Sequence, residues 1–221
     1  IFNKAVDGKF GALILGGDLC PKGAFMGSID VQREFLITYL LPKLEELSLI
    51  KNPPDVYIML GNDDWAGNLD LLEEQNGKTL KMLDKNTYQL DFDYFITGYP
   101  YVPLTPFRIK DWEKWDLSEL NDIEHEKEIL LHGIQSREKC YEGKSFNPED
   151  RDDCIQNDMK ELFKGTNPKR TIFVFHSPPY NTNLDMLYTK EHIGSIGIRM
   201  AIEKYLPLLT LHSHIHETVE V

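Results

Sequence analysis

The chain is poor in cysteine, with three in 221 residues, and it has no long apolar run and no excess of positive charge. Three thiols, Cys20, Cys140 and Cys154, are too few and odd in number for a disulfide framework. That usage favours a reducing compartment, with the cytoplasm as the default and a Cys140–Cys154 pair as the less favoured alternative. The longest apolar stretches, Ala12 to Leu15, Val56 to Leu60 and Leu206 to Leu211, are far too short to cross a bilayer, so no membrane partner is expected. Lys and Arg number 24 against 36 Asp and Glu, a formal charge of -12. A field of that sign repels nucleic-acid backbones and excludes bulk nucleic-acid binding, although a bound divalent cation can reverse the potential locally for a small phosphorylated substrate. Repeats, low-complexity tracts and linkers are also missing, so residues 1–221 are read as a single domain. Because the sequence opens on Ile1 in what reads as the middle of an element, truncation at both ends is expected.

What is present is a core-forming composition, 41% hydrophobic and 27% charged, arranged as strands alternating with helices. Gly11 to Leu15 reads as a buried strand stopped by Gly16 and Gly17. A helix follows from Asp30, with Leu40, Leu44 and Leu47 on one face and Pro42 as a kink or break. Val56 to Leu60 is the next strand and Leu69 to Glu74 a short helix. Tyr88 to Tyr94 alternates aromatic and polar residues and predicts a strand pair before the Pro-rich loop to Pro106. Leu120, Ile123 and Leu130 suggest a helix interrupted near Gly133. The acidic stretch Glu149 to Asp153 opens another, with Ile155, Met159 and Leu162 on one face and Gly165 as its stop. Thr171 to Phe175 and Leu206 to Leu211 are strands, and between them lies a helix capped by Ser195 and faced by Ile198, Ile202 and Tyr205.

The chemistry sits at strand ends: Asp18 after the first strand, Asn62 after the second, His176 after the third, His214 and His216 after the last. In open α/β sheets, side chains from several strands converge beyond the carboxyl ends. Carboxylate, amide oxygen and neutral imidazole there suit Mn, Fe, Zn, Ni or Co, and the lack of Cys argues against a thiolate zinc site. Singly, each has an ordinary reading. Asp18 makes an Asx turn, Asp64 of Gly61-Asn62-Asp63-Asp64 caps the next helix, and His176 is a satisfied core histidine. The run His212-Ser213-His214-Ile215-His216 is different. In an extended strand its three imidazoles project to one face, and a metal relieves their repulsion by keeping them neutral.

The order Gly17-Asp18, Gly61-Asn62-Asp63, His176, Ser213-His214-Ile215-His216 resembles the calcineurin-like metallophosphoesterase superfamily over nearly the whole chain. The segment Phe175-His176-Ser177-Pro178-Pro179-Tyr180-Asn181-Thr182 with Leu184-Asp185 resembles one prokaryotic-style branch. The resemblance implies an α/β (α+β) fold, a four-layer α-β-β-α sandwich with its first strand truncated. It implies a dinuclear centre of two divalent metal ions, Mn2+ favoured, with Asp18 bridging, Asn62, His176 and His214 on one metal and His216 on the other. Such cations polarise a phosphoryl oxygen and lower the pKa of a bridging water, whose hydroxide attacks in line, while Asn62 and His214 help hold the phosphate. The opening Asp-x-His motif of the superfamily has no counterpart and is expected upstream of Ile1.

Two further departures concern single residues. Ser213 replaces the usual Gly before the last His pair and is expected to shift His214 or to hydrogen-bond a ligand. Asp63 stands where many relatives carry a histidine for the leaving group. A carboxylate is a poor proton donor at neutral pH and repels a second phosphate charge, so a diester is the expected substrate. Asp185, His192 and Arg199 are softer candidates, and Trp112 and Trp115 either stack on a base or pack in the core. The alternative function is a binding or scaffold subunit of the same fold whose metal site has decayed.

Overall fold

A computed structural model describes residues 2–7, 10–22, 27–116, 130–149 and 151–217. A short helix α1 (Phe2–Asp7) precedes strand β1 (Ala12–Gly16). Helix α2 (Ile29–Phe35) then runs without a break through a π-helical turn (Leu36–Leu40) into α3 (Leu41–Ser48). Pro42 therefore neither ends nor interrupts the helix as the sequence suggested. Its missing N–H and its ring are accommodated by the wider turn just before it, where the Leu41 N–H reaches back to the Leu36 carbonyl. Strand β2 (Asp55–Met59) pairs in parallel with β1 in the register Gly16 to Met59, and with β3 (Lys81–Met82) on its other side. Between β2 and β3 lie a 3-10 turn (Ala66–Asn68) and helix α4 (Leu69–Glu73).

The second sheet has the order β11-β10-β5-β4. β4 (Thr87–Asp91) and β5 (Tyr94–Tyr99) form the antiparallel pair that the Tyr88–Tyr94 alternation predicts. β10 (Thr171–Phe175) is parallel both to β5 and to β11 (Leu209–His212). A small parallel pair joins β6 (Val102–Pro103) to β7 (Glu113–Lys114), and β8 (His132–Arg137) with β9 (Cys140–Ser145) makes a hairpin. The sequence reading expected an interrupted helix there. Its Leu120 and Ile123 lie outside the described residues, and Gly133 falls inside β8. Helix α5 (Ile155–Lys164) begins after Cys154, later than the acidic stretch suggested, and ends at Gly165. Helix α6 (Ile196–Tyr205) starts as expected, with the Ser195 hydroxyl accepting the Ile198 N–H.

Three apolar clusters hold the two larger sheets and the helices against them. Leu36, Leu40, Leu44 and Leu47 of the long helix pack on Leu15, Val56 and Ile58 of the first sheet. The other face of that sheet, Tyr57 and Met59, meets Ile96 and Val174 of the second sheet. The remaining face of the second sheet, Phe173 and Phe175, is covered by Ile155, Met159 and Phe163 of α5 and Ile198 and Ala201 of α6. Alternate residues along each strand thus serve opposite clusters, as the two-residue period of a pleated strand requires. The result is a mixed α+β architecture with helices against both sheets. Trp112 and Trp115 are buried, which settles them as core residues rather than stacking platforms. All three cysteines are free, Cys20 and Cys154 buried and Cys140 exposed. Among the described residues no helix is long and apolar enough to cross a membrane.

Candidate metal centre

Four strands, β1 and β2 of one sheet and β10 and β11 of the other, end at the same place. Asp18, Asn62, His176 and His214 each follow the last residue of one of them by one to three positions. The two sheets are tied together at this edge by one carbonyl. Gly16 O accepts hydrogen bonds from His176 Nδ1 at 2.8 Å and from the Ser213 hydroxyl at 3.0 Å. Ser213 thus spends its hydroxyl proton on the protein's own backbone.

Close approach at the centre depends on glycine. Gly17 has a φ of +104°, a conformation that L side chains rarely adopt, and a Cβ there would lie 2.5 Å from His176 Nδ1. A Cβ on Gly61 would lie 2.5 Å from the backbone N and the Oδ1 of Asp18 and from Cε1 of His176.

Since Gly16 O is a carbonyl, His176 must donate from Nδ1, and this fixes what its other nitrogen faces. Nε2 lies 3.0 Å from Asn62 Oδ1 and 3.3 Å from Asp18 Oδ1. The Asn62 amide is oriented by its own neighbour, because Nδ2 donates to Asp63 Oδ1 at 3.2 Å and so turns Oδ1 towards His176. The His214 ring lies 5.3 Å from that of His176, and one ligand atom from each of Asp18, His176 and His214 falls within 4.8 Å of the others. Asp18 Oδ2 is buried without a hydrogen-bond partner, its nearest cation being Lys22 Nζ at 3.6 Å. Oxygen and nitrogen acceptors therefore converge on one point that only a proton or a cation can reconcile. A carboxylate, an amide oxygen and two imidazoles are a donor set suited to a first-row divalent metal.

Electrostatics agree with that geometry. Burial alone would raise the Asp18 pKa, but hydrogen bonding to His176 and its charge, helped by the Asp63 N–H and Lys22, hold it well below the usual carboxylate range. Burial opposes a charged His176, yet the Asp18 carboxylate outweighs it and raises that pKa. Nε2 thus faces the point where the acceptors meet. His214 goes the other way: burial, then the neighbouring His176, push it down to about 3, which leaves a neutral imidazole free to ligate.

The histidine run is placed differently from its expected same-face array. β11 ends at His212, and His214 has a φ of +68°, so the chain turns and the strand alternation stops. His212 pairs in register with Phe175, stacks on its ring at 5.7 Å and donates from Nδ1 to Ser177 O. It is half-buried and is not part of the ligand group. His216 is exposed and outside that group, though close enough to contribute to the lowered pKa of His214.

Two contributors escaped the sequence reading. Asp64 does not cap a helix. It is fully buried and accepts the backbone N–H groups of Leu19, Cys20 and Gly61 at 2.9 to 3.0 Å, clamping the turn that carries Asp18 to the turn that carries Asn62. Burial, then the charge of Asp18, raise its pKa. Its carbonyl accepts the Trp112 indole N–H at 2.9 Å. Lys22, half-exposed, pairs with Asp63 and lies beside Asp18. Only the sequence pattern of acid after acid hinted at Asp64, and nothing local pointed to Lys22. Of the softer candidates, Asp185 is a buried carboxylate that accepts three backbone N–H groups and His192 Nδ1 at 2.7 Å, whereas Arg199 pairs with Glu203 on its own helix.

Comparison with known proteins finds no matching family model and no matching curated protein. A solved crystal structure that carries no functional name is similar in fold, with a TM-score of 0.54 and 13% identity, over 97% of this chain and 77% of that one. At that identity the likeness concerns the fold alone.

Proposed function

We propose that the protein is a metal-dependent phosphoesterase of the calcineurin-like type, hydrolysing a small phosphate ester, a diester in preference, on an α-β-β-α sandwich. The order of the three apolar clusters supports the layer reading. The observation that carries the function is the meeting of Asp18, Asn62, His176 and His214, with Asp18 Oδ2 buried and without a hydrogen-bond partner. These four residues would hold one divalent cation, and Asp18 with His216 would face a second. Bound there, divalent cations supply Lewis-acid polarisation of a phosphoryl oxygen and a water acidic enough to be deprotonated near neutral pH.

The chain's own groups do the rest. Gly16 O holds the His176 ring through Nδ1 and keeps Nε2 directed at the centre. Asp63 orients Asn62, and both of its oxygens are engaged, one by Asn62 and the other by Lys22, so it brings no proton to a leaving group. That favours an ester whose leaving group departs without strong acid assistance. The Lys22 ammonium, exposed on one side, is placed to attract the phosphate anion. The exposure of His216 favours a second reading, a binding subunit on the same fold that retains one cation and no turnover.

The test is a Mn2+ titration by calorimetry with metal analysis, together with hydrolysis of a generic aryl phosphodiester. Tight binding with turnover is expected, and Asp18→Asn, which removes a ligand's charge, should weaken Mn2+ affinity by at least the about 10-fold to 100-fold that loss of a ligand's supporting partner costs. Failure to bind any of Mn2+, Fe2+, Zn2+, Ni2+ or Co2+ would refute the proposal, and binding without turnover of mono- or diesters would select the second reading.

A further inference from the structure

Three residues after Asn62, the chain places Trp65 in a cavity of about 330 Å³ that neither the metal ligands nor the core clusters of the sheets account for. Three residues span at most about 10 Å, and the turn closed by the Asp64 N–H on Gly61 O shortens that reach, so this wall of the cavity stands within about 10 Å of Asn62. Ser28, Trp65, Arg108, Ile109, Ile134 and Tyr141 line it. Its floor is a small apolar cluster of its own, Ile29, Trp65 and Ile109 with Ile134 against them.

The walls are held rigidly. Gln32, buried, donates to Asp63 O at 2.7 Å and accepts the Trp65 N–H at 2.8 Å, which couples the aromatic residue to the metal-site turn. Asp111 accepts the N–H groups of Ala66 and Ser136 at 2.9 and 2.7 Å and so fastens the β8–β9 hairpin to the same turn. Tyr141 on that hairpin is 52% exposed, yet its ring is fixed at both ends. Its hydroxyl accepts the Ile29 N–H at 2.9 Å, and its ring meets Trp65 at 5.1 Å in an edge arrangement. The result is an aromatic face held open to solvent beside an apolar floor. Arg108 stands at the rim, exposed, with its backbone pinned by the Ile134 N–H and with no carboxylate partner among the described residues. A guanidinium with no carboxylate partner among the described residues, at the mouth of an aromatic cavity, is suited to an electron-rich ligand edge.

We infer that this cavity recognises the organic part of the phosphate ester, and that the group it takes is a planar aromatic heterocycle stacked on Tyr141 with adjacent acceptors on Arg108, as a purine base offers. The inference rests on the phosphoesterase reading for the position of the phosphate, but the cavity's own preference can be measured apart from it.

The experiment compares guanosine 5′-monophosphate with ribose 5-phosphate by calorimetry on the Mn2+-loaded protein, and guanosine alone on the metal-free protein by tryptophan fluorescence. The nucleotide is expected to bind about tenfold or more tightly than the sugar phosphate, the usual gain from stacking one base. Arg108→Ala and Tyr141→Leu, both at solvent-exposed side chains, should each shrink that ratio to below about threefold while leaving ribose 5-phosphate affinity unchanged. Equal affinities in the native protein, or ratios untouched by both substitutions, would overturn the inference. If neither phosphate compound binds, the centre rejects these monoester dianions, which the diester preference allows. The cavity is then decided by guanosine: saturable quenching that Arg108→Ala abolishes sustains the assignment, and none refutes it.

Discussion

Substituting Gly61 by Ala adds one methyl group at the most crowded point of the centre. The new Cβ would stand 2.5 Å from three atoms, about 0.9 Å inside ordinary van der Waals contact at 3.4 Å. One of the three is the backbone nitrogen of Asp18, which cannot swing away as the end of a flexible side chain can. Asp18 itself has a φ of +53° and is held by the Asp63 N–H at 3.0 Å, so it has little freedom to retreat. Overpacking of this kind costs about 1–3 kcal/mol, and for a chain of this length each kcal/mol lowers Tm by about 2–4 °C. The same displacement moves Asp18 and His176 relative to each other, and disturbing the support of a ligand weakens metal binding by about 10-fold to 100-fold. The assay is thermal unfolding together with Mn2+ calorimetry on Gly61→Ala, set beside Gly143→Ala on the exposed hairpin, where a Cβ meets nothing within 4 Å. If the two variants behave alike in both measurements, close approach at Gly61 is not what assembles the centre.

Two further predictions concern charge. Lys110 and Glu113 form an ion pair at 2.8 Å with both side chains fully buried, and Glu113 also accepts the Thr105 N–H at 3.0 Å. Lys110→Met strands a buried carboxylate and should cost about 3–5 kcal/mol in urea unfolding, whereas replacing both partners by apolar residues should recover most of it. A double variant as unstable as the single one would contradict this. Asp158 illustrates the pH dependence. Burial alone would raise its pKa, but Lys114 and Tyr99, which donates at 2.8 Å, lower it overall from the ordinary 3.8. A depressed carboxylate contributes stability that is complete above its unfolded pKa and is lost as pH falls from there through the lower folded value. Asp158→Asn should therefore flatten the acid limb of stability below about pH 4, and an unchanged limb would show that the carboxylate is not what titrates.

Much of the centre was legible because strand ends announce themselves. A short apolar run closed by glycine or a polar ligand residue marked Asp18, Asn62, His176 and His214, and parallel pairing brings such ends to one edge. The β4–β5 pair and the capped α6 were legible for the same reason, since local periodicity and one capping residue determine them. Features created by tertiary contact were not. Treating His212, His214 and His216 as one extended face assumed a strand that continues, and the left-handed turn at His214 shows only in the folded chain. Pro42 looked like a breaker because the π-helical turn that absorbs it is made by residues with no distinctive signature. The β8–β9 hairpin has apolar residues too sparse to reveal a period, as Ile134 is the only aliphatic residue in its two strands. Asp64 is recognisable as a clamp only once the amides of Leu19 and Cys20, some 45 positions earlier, are brought against it.

The short spacing between each strand end and its donor divides the work of the chain in a way that bears on how such a protein diversifies. Everything needed to gather the four donors is completed within three residues of β1, β2, β10 and β11. The longer segments beyond β2 and β10, from Trp65 to Leu80 and from Ser177 to Gly194, are therefore released from that duty except where Gln32 anchors Trp65. Lengthening or redrawing those segments would change what is selected at the mouth of the sheets while the inner machinery stayed as it was. New preferences could then arise without disturbing the residues gathered at the strand ends.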